Sequence, residues 1–232
     1  MTSLLQKKLE EKTYEILFEL EDEFDLDLKS LPEVYYVGRN FNPYEVGLPI
    51  RLDFSLKKTA LFFPKYNVIF TATKDEGVLG EEVGHFIHHQ FLHKRHIKEV
   101  PLSLEHFGMG VVREAIGFFC SKLIDPKRRS QYKKDNFLFK KSLEGVLRHI
   151  RYIAIMGEYE HLIHQQGYLI GEKMYQGYLS GGIDIGDVKE VLQKPLKGKN
   201  EAFYEFIKLR QRFVGGKFFK QNLIKKKNLS KT

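Results

Sequence analysis

At 232 residues, with 42% hydrophobic and 29% charged side chains, the chain suits one globular domain with a small appendage and not a disordered or fibrous class. Its 38 basic and 30 acidic residues give +8, but nine of the cations and none of the acids fall between positions 207 and 232, so the basic character belongs to the tail. One cysteine, Cys120, excludes an intramolecular disulfide framework and a Cys-rich zinc module. The charged opening segment does not read as a signal peptide, and no run of about 18 apolar residues exists to span a bilayer, so a soluble cytoplasmic protein is expected.

From Ser3 to Phe24, apolar residues recur at three- and four-residue spacings with Lys and Glu between them, which predicts an amphipathic helix. Between Leu31 and Thr73 the pattern changes. Pro32, Pro43, Pro49 and Pro64 punctuate segments rich in β-branched and aromatic residues, EVYYVG, TALFF and NVIFTAT, predicting two to four short strands with Pro64, Lys65 and Tyr66 as a connection. Helices are predicted near 78–95, 103–124, 136–178, 185–193 and 199–213. Small, φ-permissive residues at Ser180, Gly181 and Gly182 mark one break and Gly215 and Gly216 another. The expected organisation is therefore a domain over 1–180, a helical extension over 181–214 and a basic tail over 215–232.

The segment VLGEEVGHFIHHQF, Val78 to Phe91, concentrates carboxylates and imidazoles on one helix. Helical geometry places Glu81, His85 and His88 along one stripe at i, i+4 and i+7, with Glu82 about 100° further round. Two side chains four apart can hold one metal ion, and the neighbouring carboxylate can take a proton from the attacking water. The bland alternative is the polar face of an ordinary helix. On VVREAIGFFCSKLI, Glu114 is an acid in a mostly apolar segment and so needs a partner, either a shared ion or a cation such as Arg113. In GEYEHLIHQQGYLIGEKMY, the residues Glu158, His161, Gln165, Tyr168 and Glu172 form a polar stripe that lines a pocket or faces solvent. Cys120, among Phe118, Phe119 and Leu123, reads as a small buried hydrophobe.

The run E-E-V-G-H, Glu81 to His85, after the strand NVIF resembles the zincin metallopeptidases, whose active-site helix bears H-E-x-x-H. In this resemblance Glu82 falls at the general base, His85 at the second ligand and Glu81 at a first position that is otherwise His. Glu114, followed by Ala115, Phe119, Leu123 and Pro126, is similar to the downstream Glu-ligand helix of small zincins, and the resemblance covers about 61–126. It implies an α+β, zincin-like fold with a small, mostly antiparallel sheet on the active-site helix and a helical C-terminal half. It also implies peptide or protein substrates and one divalent metal held by Glu81, His85 and Glu114. That metal is zinc, with manganese a stronger competitor than usual because the ligands are more anionic. In such a site His161, His164 or Tyr168 would steady the oxyanion by virtue of its chemistry. An inactive zincin-like scaffold is a second expectation. A third is a ferritin-like di-iron protein built on Glu82-x-x-His85 and Glu158-x-x-His161, with Glu114 and either Glu15 or Glu19. The tail, with Lys217, Lys220 and Lys225 to Lys227, is a candidate for weak, salt-dependent nucleic-acid contact or a solubilising terminus.

Overall fold

A computed structural model describes residues 4–38, 41–49, 59–92, 102–130, 143–194, 196 and 200–214, without the side chains of 143–146. The basic tail and the histidines at 93 and 96 lie outside these residues. Helix α1 (Leu4–Glu23) buries Leu9, Ile16, Leu17 and Leu20, the stripe expected from spacing. It leads to β1 (Glu33–Tyr36), β2 (Ala60–Phe63) and β3 (Val68–Thr71), a sheet in the order β1-β3-β2.

The sheet is mixed, which corrects the expectation of a mostly antiparallel one: β2 runs antiparallel to β3, whereas β1 runs parallel to it. The difference follows from connection length. Pro64–Tyr66 is a single tight turn closed by Asn67 at φ +57°, which forces a hairpin, whereas the long segment from Val37 to Thr59 gives the chain room to cross over. All four β3 residues are buried, as a central strand requires. The outer edge of β1 is sealed by Gln6 of α1, whose amide donates to the Val34 carbonyl and accepts from the Tyr36 N–H, both at 2.5 Å.

Among the described residues six helices follow: α2 (Glu76–Leu92), α3 (Leu104–Ile124), α4 (Leu143–Ile155), α5 (Tyr159–Leu179), α6 (Ile185–Gln193) and α7 (Glu201–Leu209). Of the single helix predicted over 136–178, residues 136–142 lie outside the described residues and the rest is two helices, broken by a turn at Gly157, where φ is +75° and a side chain would be strained. The main core unites Leu17 and Phe24, Ile69 of the sheet, Phe86 of α2, Phe119 of α3 and Ile170 of α5 with Val188, Phe203 and Phe206 of the last two helices. Each such buried side chain contributes about 1.5–3 kcal/mol of transfer free energy. The result is an α+β fold that is mostly helical. No helix among the described residues is long and apolar enough to cross a membrane.

Candidate metal centre

Three helices meet closely enough to put their polar side chains at one point because glycine faces the partner at each crossing. A Cβ on Gly84 would lie 2.8 Å from Cys120 Cβ, one on Gly117 would lie 2.4 Å from His85 Cε1, and one on Gly167 would lie 2.2 Å from Glu114 Cβ. Real Cβ atoms do not approach so closely. The α2 and α5 helices therefore rest directly on α3, and Ser121 ties α3 to α2 by donating to the Gly77 carbonyl at 2.6 Å. At the start of α2, Asp75 Oδ1 accepts from the Val78 N–H at 2.9 Å, satisfying one of the free amides of the first turn.

Glu81, His85 and Glu114 converge as expected: one ligand atom from each lies within 4.8 Å of the others. His85 Nε2 stands 3.7 Å from Glu114 Oε1, too far for a hydrogen bond. Two ligands of one tetrahedral zinc, each about 2.0–2.2 Å from it, lie roughly 3–4 Å apart, so this separation suits a shared ion. Glu114 Oε2 is buried without a hydrogen bond, with His164 Nε2 3.5 Å away, a condition that an ion on this carboxylate would relieve; His85 Nδ1 is also without one but points away from Nε2 and from the shared position. Glu81 is different. Its Oε1 accepts from the Tyr168 hydroxyl and its Oε2 from Arg128 Nη2 at 2.5 Å, so both of its oxygens are already engaged.

Around these groups is a cleft of about 550 Å³, walled by Ala60, Leu61 and Phe62 of β2, and by Arg113, Arg128 and His164 from the other elements. Glu82 lines it and accepts from the Phe62 N–H at 2.6 Å, fixing the edge strand to α2. Tyr168 stacks on Phe118 with ring centroids 4.4 Å apart, which aims its hydroxyl at Glu81. Of the polar stripe, Tyr168 reaches the cleft, and so does His164 beside it on α5, with His164 Nε2 3.5 Å from Glu114 Oε2. His161 is exposed and does not line it. Glu15, Glu19 and Glu158 are exposed as well, so among the described residues no second carboxylate–imidazole set of the kind a di-iron bundle needs is gathered.

Electrostatics follow from burial. It pushes the Glu82 carboxyl well above its usual range, and the Glu81 charge adds to the effect. Glu114 is pushed up to about 7, mainly by burial. His85 is pushed down to about 3, first by burial and then by the Arg113 guanidinium, so it stays neutral with a lone pair to offer. His88, on the same stripe of α2, is fully buried and likewise pushed down to about 3 by burial. Burial pushes the Cys120 thiol up to about 12, consistent with a packing role.

Arg128 was missed in the sequence. Three consecutive cations, Lys127, Arg128 and Arg129, directly after Pro126 were the available signal, and the middle one turns inward to the acids. Compared with known proteins, the chain matches no family model, no curated protein and no solved structure.

Proposed function

We propose that the protein is a metal-dependent peptide hydrolase of zincin-like type, in which Glu81, His85 and Glu114 hold one divalent ion, zinc or manganese. The observation that carries this reading is the convergence of Glu81, His85 and Glu114, in which His85 Nε2 and Glu114 Oε1 stand 3.7 Å apart, a spacing that suits a shared ion. Bound there, such an ion supplies Lewis-acid polarisation of the scissile carbonyl and activation of water. The chain's own groups do the rest. Glu82, the second acid of the pair, borders the cleft and moves the proton between the attacking water and the leaving amine. Its anchor to the Phe62 N–H holds one carboxylate oxygen in place. Tyr168, whose hydroxyl is kept protonated by burial and the nearby Glu81 charge, becomes a donor for the developing oxyanion by turning its single proton away from Glu81 Oε1, and His164 is a second. Leu61 and Phe62 of the edge strand β2 line the cleft and offer a wall for a peptide, with the Phe62 N–H already given to Glu82.

The test is elemental analysis and peptide hydrolysis on protein purified without added metal. Wild type is expected to carry about one ion per chain, Glu82→Gln to keep the ion and lose hydrolysis by at least about a hundredfold, and His85→Ala to lose the ion. Full metal occupancy in His85→Ala and Glu81→Ala together would remove the reading. A second reading, an inactive scaffold of the same fold, is favoured by the Arg128 guanidinium already seated on Glu81. In that case Glu81→His, which restores an imidazole, gains zinc affinity and activity that the wild type lacks.

A further inference from the structure

Arg128 lies across the first turns of α2, with one amino group on Glu81 Oε2 at 2.5 Å and the other 3.6 Å from Asp75 Oδ1. Its position is built. Lys122, buried at the end of α3, donates to the carbonyls of Pro126 at 2.6 Å and Arg128 at 2.9 Å, fixing the backbone of the loop. Gly77 leaves the side chain its path, since a Cβ there would stand 2.7 Å from Arg128 Cδ. The guanidinium is nevertheless not locked. Arg128 Nε is buried without a hydrogen bond, and the fork touches each carboxylate with a single prong and not bidentately. Asp75, with its side chain 54% exposed, is a second carboxylate within a short swing.

A guanidinium and a divalent ion cannot share Glu81 without repelling each other across a poorly solvated site. We propose that Arg128 is a resident cation that competes with the metal for Glu81, and that metal loading hands its guanidinium over to Asp75. The apo cluster of Glu81, Glu82 and Glu114 thus keeps a counter-charge when no ion is bound, and the affinity of the site is set by the cost of moving Arg128. This inference rests on the metal reading of the previous subsection and concerns how that site is regulated.

The experiment is calorimetric titration of zinc, and separately manganese, into the metal-stripped full chain and two variants whose folding is checked by circular dichroism. Arg128→Gln removes the competitor and is expected to bind zinc at least about tenfold tighter. Asp75→Asn keeps an oxygen acceptor for the Val78 N–H but offers the guanidinium no charged landing place, and is expected to bind about threefold more weakly. A purely structural Arg128 would not move the two variants in opposite directions. Unchanged affinity in both, or the 10–100-fold loss in Arg128→Gln that marks a partner supporting its ligand, overturns the competition while leaving the metal site standing. Absence of binding to folded wild type and folded Arg128→Gln alike overturns both.

Discussion

Glu114 shows how one side chain can carry two opposite demands. In the free protein its carboxyl is held up to about 7, chiefly by burial, against a usual value of 4.5, so the folded state keeps a proton that the unfolded chain has released. The sign follows: the stability associated with this proton is fully present below about pH 4.5 and is lost as pH rises through about 7. His85 works in the other direction, since its imidazole is pushed down to about 3 and the folded state loses stability as pH falls below 6.5. The difference in unfolding free energy between wild type and Glu114→Gln isolates the first effect. Measured by urea titration in the absence of metal, the stability of wild type relative to the variant is expected to decline between pH 4.5 and 7. A flat difference across that window would show that Glu114 is not buried as an acid. The candidates Glu81, His85 and Glu114 were legible in the sequence because helical spacing and an acid in an apolar run are local signals. Arg128 was not, because its importance comes from a loop folding back over a helix that begins about fifty residues earlier.

At the scale of elements, the site exists because α2, α3 and α5 approach through glycine. Propensity alone argues against these residues, since Gly in a helix interior costs about 1 kcal/mol relative to Ala. Replacement of Gly167 by Ala should therefore stabilise the helix by itself, yet the new methyl would meet Glu114 Cβ at 2.2 Å. Overpacking against a backbone that cannot move aside costs about 1–3 kcal/mol or more. Gly167→Ala is expected to be destabilised by at least about 1 kcal/mol net in urea unfolding, and to displace Glu114 enough to weaken zinc binding. A gain in stability would mean that α3 and α5 are further apart than described. The chain marked Gly84 through its place in a motif, but Gly117, Gly167 and Gly171 carry no local sign of the helices they face. The break at Gly157 was missed for a related reason. Both flanking segments have helical periodicity, and only the turn, with φ at +75°, separates them.

Across the whole molecule, a ligand that binds the folded chain alone stabilises all of it by mass action. An ion bridging α2 and α3 at the centre of the core should do so without unfolding any part selectively. Free zinc at a hundred times its dissociation constant adds about 2.7 kcal/mol, which for a chain of this size is a rise of roughly 5–10 °C in the melting midpoint. His85→Ala should show no such rise in parallel scanning calorimetry, and an equal rise in both proteins would place the ion elsewhere. By itself the sequence determined the order of helix, small sheet and helices, the amphipathic face of α1, the hairpin turn after Pro64 and the residues able to ligate on α2 and α3. These are read from periodicity, turn chemistry and spacing, all of which act over a few residues. Only the tertiary structure decided that β1 joins β3 in parallel, that His164 and not His161 reaches the cleft, and that a guanidinium rests on Glu81. Those outcomes depend on which surfaces meet after long stretches of chain, where the free energy of packing and of burying charge selects contacts that no local pattern records.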